Sequence, residues 1–366
     1  MSRRLFALLG RKDEPTDAVE EYCTHLGEAL ASHDFRLEIR RVPWELHGWP
    51  HSFHALKLQA ANWRDTWILV QYTALAWSAR GFPFRFLQAL RILAAARARI
   101  AVVFHDVEPF SGSRLADRVR RLVQLRTMRR ALDFADLAVF TVPVEKISWL
   151  QPSAKCAFIP VGPNLPAQLR VDSPEPVRHK IPAIAVFSIT GGEAGARETR
   201  EIISAARAVS QALGGIRLCI FGRHAELRET ALRDALASLP VDLSVEGVLE
   251  GPQVIERLSS CDVLLFVRGP ISSRRSSAIA GIACGLPVVA YSGPETTAPV
   301  TEAGVQLIPF EQDSSLRQNQ LNSALLRVLS DSALRAELSA RSRSVYEQRL
   351  SWTSIAGRFS TLLVDS

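Results

Sequence analysis

Two arginines stand among four serines in a segment that is otherwise free of charge. Arg274 and Arg275 are flanked by serines at 272, 273, 276 and 277, and the stretch 276–294 carries no charged residue. The pattern places this group where a helix begins. Unpaired backbone N–H groups and the positive end of the helix dipole point outward there, and arginine adds bidentate donors that match phosphoryl oxygens. These residues therefore predict a phosphate-binding site, although adjacent arginines on a solvated surface would give the same pattern.

The elements around this group form a strand, a helix and a second strand. Val263–Val267 is an apolar run of strand length, Ser276–Cys284 is compatible with a helix, and Gly285-Leu286-Pro287 ends it before the apolar run Val288–Tyr291. Ligands of open α/β sheets lie beyond the carboxyl ends of the strands, which is where the serine and arginine loop falls. As an alternative, Gly-Leu-Pro is only a helix cap before a strand.

A second group of residues that could bind a ligand or take part in catalysis stands at the end of another buried strand. Ile100–Phe104 is an apolar run typical of a parallel strand, and it ends in His105-Asp106. A histidine and a carboxylate at this point lie in the crevice position of a doubly wound domain, where a sugar or an acceptor hydroxyl could bind. A structural histidine with satisfied hydrogen bonds is the other interpretation of the same pattern.

The serine and arginine segment, together with the chain on its carboxyl-terminal side, resembles the carboxyl-terminal domain of glycosyltransferase family 4. The similarity lies in Cys261–Leu265, Ala283–Ala290, Glu302–Val305 and Ser351-Trp352. The resemblance implies the GT-B fold, in which two doubly wound Rossmann-like α/β domains face a central cleft. It also implies transfer of a sugar from a nucleotide-sugar to a hydroxyl acceptor, with retention of anomeric configuration and the leaving diphosphate helping to take the acceptor's proton. The enzyme would be of the hexosyltransferase type.

The resemblance also suggests roles for particular residues. In the family, the loop after the first strand of the second domain holds the diphosphate with basic residues of the next helix, which here implies Gly191, Gly192 and Arg197. A comparable family histidine faces the donor sugar, so His105 and Asp106 become the catalytic candidates. The donor-binding candidates are Gly191, Gly192, Arg197, Arg223, Arg274, Arg275, Ser276 and Ser277.

One departure from the family pattern leaves other functions open. The family usually has two glutamates eight positions apart that contact the sugar and ribose of the donor, and here Ser272 and Ala280 stand at those positions. A non-catalytic protein that binds a nucleotide or a partner is therefore one alternative. A nucleotide-sugar epimerase or phosphorylase on the same fold is another.

The length of 366 residues favours two domains. We predict an acceptor-binding domain over 1–165, a proline-rich hinge over 166–181 and a nucleotide-sugar-binding domain over 182–348. A final helix over 349–366 is expected to cross back to the first domain. The first domain would open with a strand over Arg4–Gly10 and a helix from Ala18 to Ser32. The residue pattern over 320–348 predicts a single helix.

Metal chemistry finds little support in the sequence. His47, His51 and His54 have spacings that suit one helix face, but Gly48 and Pro50 interrupt the segment and no acidic or thiol ligand is close by. There is also no Asp-x-Asp pattern at a strand end. We therefore expect no cofactor and a reaction that does not depend on a metal. The five cysteines have irregular spacing and are interpreted as free thiols.

The formal net charge of +7 favours an anionic partner, which could be a nucleotide, a nucleic acid or an anionic lipid. Zinc-finger spacings and aromatic RNA-recognition patterns are missing from the sequence, which disfavours nucleic acid. The most basic stretch is 113–134, where arginines recur at helical spacing beside apolar residues, as in helices that lie on anionic membranes; a solvated helix is the alternative.

No apolar signal segment precedes a cleavage site at the amino terminus. We therefore expect a cytoplasmic protein, peripheral on the inner face of the membrane, that uses a sugar or lipid-linked saccharide as acceptor.

Overall fold

The structure, a computed structural model, describes residues 2–112, 114–151, 153, 155–166, 181–310 and 313–365. The chain divides into two compact units, Met1–Val161 with Trp352–Ser366 and Gly162–Ser351. The predicted hinge at 166–181 lies almost entirely outside the described residues.

The first unit is built on six parallel strands. They are β1 (Arg3–Leu9), β2 (Phe35–Arg41), β3 (Trp67–Tyr72), β4 (Arg99–Phe104), β5 (Leu137–Phe140) and β6 (Cys156–Phe158), in the order β2-β1-β3-β4-β5-β6. The helices are α1 (Ala18–Leu30), α2 (Trp44–Ala60), α3 (Arg85–Ala95), α4 (Leu115–Phe134) and, from the end of the chain, α11 (Trp352–Asp365). Every residue of β3 is buried, as expected where helices cover both faces of a parallel sheet.

The second unit repeats this plan with a different set of connections. Its strands are β7 (Ala183–Phe187), β8 (Ile216–Phe221), β9 (Val241–Val245), β10 (Val263–Pro270), β11 (Val288–Ser292) and β12 (Val305–Pro309), in the order β12-β11-β10-β7-β8-β9. All pairings are parallel. Its helices are α5 (Gly192–Leu213), α6 (Glu229–Leu236), α7 (Gly251–Ser259), α8 (Ser276–Ala283), α9 (Ser314–Ser330) and α10 (Ser332–Val345).

In each sheet, the direction in which successive strands are added to the sheet reverses at one point. In the first sheet the reversal lies between β1 and β3, and in the second between β7 and β10, which are hydrogen-bonded neighbours. Loops that leave such a pair diverge to opposite faces and leave a crevice at the carboxyl ends of the strands. Arg274 and Arg275 follow β10, which is at the reversal point of the second sheet. His105 and Asp106 follow β4, which lies beside the reversal point of the first.

The strand, helix and strand predicted around Arg274 and Arg275 are confirmed as β10, α8 and β11. The interruption predicted after Pro43 is confirmed at Gly48, whose φ of 70° breaks helical geometry and kinks α2, while Pro50 lies within the helix that follows the kink. One prediction was wrong. The single helix expected over 320–348 is divided at Asp331, which leaves helical geometry and caps α10 by accepting from Leu334 N.

The last helix of the chain belongs to the first unit. Trp352 opens α11 and packs with Tyr22 of α1 at 5.4 Å between ring centroids, and Trp67 Nε1 donates to the carbonyl of Leu363 at 3.0 Å. Of the helices that the structure describes, none is both long enough and apolar enough to cross a bilayer.

Candidate functional site

The loop between β10 and α8 is fixed by backbone hydrogen bonds. Ile271 N donates to Tyr291 O at 2.8 Å and Arg275 N to Ser272 O at 3.1 Å. Gly269 lies in the irregular end of β10, where the register with β11 shifts, and has a φ of 77° that an L side chain rarely adopts. Arg275 is the residue that precedes α8, and Ser276 and Ser277 form its first turn. The predicted juxtaposition of guanidinium, hydroxyl and helix start is therefore present.

Arg275 lies in a strongly positive and poorly hydrated position. Burial is the main cause that lowers the pKa of its guanidinium to about 10, and the like charges of Arg274 and Arg268 lower it further. Its Nε is buried and has no hydrogen-bond partner among the described residues. A buried donor without an acceptor is costly, so an anion bound at this point would be stabilised.

Arg268 is a member of the same group that the sequence analysis missed. It lies near the end of β10, where Nη1 donates to Ser277 Oγ at 3.3 Å. Burial is again the main cause that lowers its pKa, and the charge of Arg223 adds to the effect. Its Nε, too, is buried without a partner in the part of the chain that the structure describes. The sequence feature that could have identified this residue is a single charge, that of Arg268, directly after the apolar run Val263–Val267.

Arg274 is held differently from its neighbour. Its Nε donates to Glu295 Oε2 at 2.7 Å and its Nη2 to Glu295 Oε1 at 3.2 Å, which is a bidentate ion pair. The two arginines that look equivalent in the sequence are therefore distinct, because only Arg274 has a carboxylate of its own. Glu295 lies just after β11 and had no motif to mark it.

The glycine loop after β7 lies close to the arginines. Gly191 and Gly192 begin α5, and Gly192 has a φ of 65° with no atom of the described chain within 4 Å of where a Cβ would stand. Glu198 Oε2, which is buried, accepts from Thr190 N at 2.7 Å, and its charge opposes the lowering of the Arg268 and Arg275 pKa values. The starts of α5 and α8 thus share one electrostatic environment.

Two further side chains support this loop and were not foreseen. Arg228 Nη2 donates to Gly192 O at 2.9 Å, and the ring of His224 lies 3.5 Å from the Cβ position of Gly191. Arg197 lies farther along α5, where its Nη2 is 3.7 Å from Glu198 Oε1, its Nε is 3.8 Å from Glu201 Oε1 and its guanidinium is 5.4 Å from the centre of the Phe310 ring. The structure therefore brings Arg223, Arg268, Arg274, Arg275 and Ser277 together, with Glu198 connecting them to the glycine loop.

The positions of the expected glutamates lie in a closed environment. Ser272 and Ala280 are each 1% exposed, and Ser272 Oγ is buried without a hydrogen-bond partner within the described ranges. A carboxylate at either position would lose its hydration and would need a partner to compensate for that loss.

In the first unit, His105 is a neutral hydrogen-bonding group. Its Nε2 lies 2.8 Å from Gln71 Oε1, while the Gln71 amide nitrogen donates to Leu69 O at 3.1 Å. The amide oxygen can only accept, so Nε2 of His105 carries the proton. Burial lowers the pKa of His105 to about 4, and the charge of Asp17 opposes this shift only in part.

Asp106 borders a cavity of about 210 Å³ at the reversal point of the first sheet. Its Oδ2 accepts from Ala74 N at 2.7 Å, which ties the end of β4 to the loop after β3. His105 does not line the cavity but reaches it through Gln71, which does. The polar lining consists of Arg11, Asp13, Asp17, Gln71, Thr73 and Asp106.

The histidines at 47, 51 and 54 lie on the exposed side of α2, with the rings of His47 and His51 5.5 Å apart. In the described ranges, no three His, Cys, Asp or Glu side chains are grouped as a metal would require. The tryptophans of the same segment have a packing role, since Trp44 and Trp49 stack at 4.8 Å and Trp44 Nε1 donates to Ala76 O.

Two parallel six-stranded α/β units of this kind define the GT-B fold, and comparison with solved structures confirms it. The chain is similar to Anabaena Alr3699/HepE, crystallised with UDP and glucose, at a TM-score of 0.66 and 14% identity over 100% of both chains. It is similar to WaaG, a glycosyltransferase involved in lipopolysaccharide biosynthesis, at a TM-score of 0.59 and 15% identity over 99% of this chain and 100% of that one.

A third similar structure carries the name of another class of enzyme. A putative UDP-N-acetylglucosamine 2-epimerase from Listeria monocytogenes aligns at a TM-score of 0.57 and 13% identity, over 98% of this chain and 95% of that one. No protein-family model matches the sequence, and no curated protein matches it. Similarity of shape therefore establishes the fold, while the function depends on the residues of the site.

Proposed function

We propose that the protein is a glycosyltransferase that moves a sugar from a nucleotide-sugar to a hydroxyl acceptor. The observation that carries the proposal is the pair Arg268 and Arg275, whose buried Nε groups have no hydrogen-bond partner among the described residues beside the start of α8. A nucleoside diphosphate would supply the missing acceptors and negative charge. Gly192 would let the diphosphate approach the start of α5, because its Cβ position is open. HepE was crystallised with UDP-glucose and WaaG is a glycosyltransferase, which supports the same class.

The arrangement favours a leaving group that gains charge during the reaction. As the bond between the anomeric carbon and the β-phosphate oxygen breaks, negative charge grows on the diphosphate, and guanidinium groups in a dehydrated site stabilise it. The acceptor oxygen forms the new bond to the anomeric carbon and its proton passes to the leaving diphosphate. Retention of configuration and independence of metal ions remain predictions from the family resemblance. Arg274 would hold the loop in shape through Glu295.

The first unit would present the acceptor. Its cavity offers carboxylate, amide and hydroxyl groups, which bind sugar hydroxyls well. Neutral His105 would act through Gln71, whose amide it orients in the cavity lining, and not as a cation. We further propose a hexosyl donor and a role in surface glycan or lipid-linked saccharide assembly at the inner face of the membrane, supported by the many arginines of α4.

A nucleotide-sugar epimerase is the second candidate. The structural similarity to the Listeria epimerase favours it, as does the cluster of arginines, because both reactions stabilise a departing nucleotide. The serine and alanine at 272 and 280 also keep a non-catalytic nucleotide-binding protein under consideration. Product analysis separates the three: transfer consumes an acceptor, epimerisation does not, and a binding protein converts nothing.

Thermal unfolding of the whole protein with UDP, GDP, ADP, dTDP and their sugar conjugates, with and without EDTA, tests the proposal. A ligand at a hundred times its dissociation constant stabilises the native state by roughly 2.7 kcal/mol. We expect one nucleotide to raise the melting temperature, its sugar conjugate to raise it further, and EDTA to change neither shift. If no nucleotide raises it, the proposal is wrong.

A further inference from the structure

Two of the five cysteines meet on one face of the second sheet. Cys219 lies in β8 between Leu218 and Ile220, which both belong to the hydrophobic core of the second unit. Because side chains alternate along a strand, Cys219 faces the other side of the sheet. Ser244, its register partner on β9, faces the same side. The thiol of Cys219 is therefore outside the main core.

Cys261 reaches this face from the turn between α7 and β10. Its backbone N–H donates to Leu258 O at 3.0 Å and closes the end of the helix. The next residue, Asp262, donates its backbone N–H to Ala183 O at 2.8 Å, where the turn joins the sheet. These two hydrogen bonds fix the position of Cys261 on both sides.

The turn is also tied to the strand that carries Cys219. Arg217, two residues earlier on the same face of β8, donates from its guanidinium to the carbonyl of Ser260. Beside this contact, the thiol of Cys261 donates a hydrogen bond to the sulfur of Cys219. Cys219 and Cys261 are 5% and 7% exposed, so a small molecule the size of water can approach the pair.

The surroundings of the pair favour a thiolate on Cys219. The hydrogen bond from Cys261 is the main cause that lowers the pKa of the Cys219 thiol. The hydroxyl of Ser244 and the positive charges of Arg217 and Arg257 lower it further, while burial opposes them. The same hydrogen bond, together with burial, raises the pKa of Cys261. The thiolate is the nucleophilic form of cysteine, so Cys219 is the reactive member of the pair.

The other three cysteines have different surroundings. Burial raises the pKa of the thiols of Cys23 and Cys284, which makes them less reactive. Cys156 is half-buried, and its sulfur lies 3.4 Å from the hydroxyl oxygen of Ser153. Thiol chemistry should therefore be concentrated at Cys219 and Cys261.

We infer that Cys219 and Cys261 form a reactive dithiol that hydrogen peroxide oxidises to a disulfide. The thiolate sulfur of Cys219 attacks one peroxide oxygen and the O–O bond breaks. The other oxygen leaves as hydroxide, which takes a proton from solvent, and Cys219 becomes a sulfenic acid. The sulfur of Cys261 then attacks the sulfenic sulfur, and the S–O bond breaks as the hydroxyl leaves with the Cys261 proton as water.

The overall reaction oxidises two thiols to one disulfide and reduces one peroxide to two water molecules. An external dithiol would reverse it by thiol–disulfide exchange. The inference goes beyond the proposed function, because the reaction needs neither a nucleotide nor an acceptor.

Treatment of the whole, fully reduced protein with hydrogen peroxide tests the inference. The remaining thiols are alkylated in denaturant and counted by intact mass. We expect all five cysteines to be alkylated before peroxide and two fewer after it, with the protein still monomeric. Peptide mapping should show Cys219 linked to Cys261, and dithiothreitol should restore the original count.

Serine variants distinguish the two members of the pair. In C261S the sulfenic acid of Cys219 has no partner thiol, so it should accumulate and be captured by dimedone. C219S should react with peroxide at least roughly tenfold more slowly, because an ordinary thiol is only a few per cent thiolate at neutral pH. C156S is the matched control, in which the pair is intact and two thiols should be lost as in the unmodified protein.

Three results would overturn the inference. One is an unchanged count of alkylated thiols after peroxide, and another is a disulfide that joins other cysteines or two chains. The third is a C219S variant that loses thiols as fast as the unmodified protein. The thermal shift produced by the nucleotide should be equal in all reduced variants, so failure of the dithiol can be told from failure of the nucleotide site.

Discussion

The two units use one backbone plan for sites of opposite charge. Each site lies at the reversal point of a parallel sheet, between β1 and β3 in the first unit and between β7 and β10 in the second. The first has three carboxylates, one guanidinium and an amide in its lining, whereas the second has several guanidinium groups and the starts of α5 and α8. The topology provides the crevice in both, and the residues at the strand ends decide its charge and its hydrogen-bonding groups.

Removing the positive charge of the second site should have the largest effect. We expect R268Q/R275Q to abolish stabilisation by the nucleotide. R275Q alone should cost on the order of 3 kcal/mol of transition-state stabilisation, because a charged donor to the leaving diphosphate is lost. Steady-state kinetics and nucleotide titration measure both, with R207Q on the exposed side of α5 as control. Turnover within tenfold of the unmodified protein in the double variant would contradict the assignment.

A substitution in the first site should lower turnover and leave nucleotide binding unchanged. H105Q removes the ring that orients the amide of Gln71, which lines the cavity, and we expect turnover to fall roughly a hundredfold, as when one preorganised hydrogen-bonding group is lost from an active site. The thermal shift produced by the nucleotide should stay unchanged. If H105Q instead weakens nucleotide binding and leaves turnover intact, the division of labour between the units is wrong.

Gly192 and Gly214 offer a matched pair at the two ends of α5. They have φ values of 65° and 77°, and neither Cβ position has a described atom within 4 Å. Alanine at either should cost about 1 to 2 kcal/mol of stability through left-handed strain. Only G192A should weaken nucleotide binding, because its methyl group would occupy the approach to the helix start. Equal nucleotide affinity in the two variants would remove Gly192 from the site.

The depressed pKa of His105 predicts a pH dependence of stability. Its pKa is about 4 in the folded state against an ordinary value of 6.5, so the unfolded chain binds this proton first. Stability should therefore fall as pH decreases from 6.5 to 4. Chemical denaturation across this range should show a shallower fall in H105Q than in the unmodified protein, and identical slopes would contradict the neutral state of the ring.

The smallest effect is expected at Glu295. E295Q breaks the bidentate pair with Arg274, which is partly exposed, and should cost about 1 kcal/mol of stability or less. Nucleotide affinity should change by less than in R275Q, since Arg274 is assigned to holding the loop. A loss as large as that of R275Q would place Arg274 in direct contact with the ligand.

The sequence was sufficient for the elements around the second site but not for its full set of residues. Apolar runs and the helix stop at Gly285 predicted β10, α8 and β11, because local patterns determine such elements. Glu295 and Glu198 could not be predicted, since each meets the arginines only after β11 and α5 are placed beside β10. The kink of α2 could be predicted, because glycine readily adopts the positive φ that interrupts helical geometry at Gly48.

Hydrogen exchange tests the contrast between the two units most directly. The amide protons of the whole protein would be followed with and without the nucleoside diphosphate that gives the largest thermal shift. We predict added protection over 189–195 and 268–278, with the loops at 10–19 and 71–76 unchanged. Protection confined to the first unit's loops would contradict the account, because the diphosphate would then bind where the acceptor is assigned.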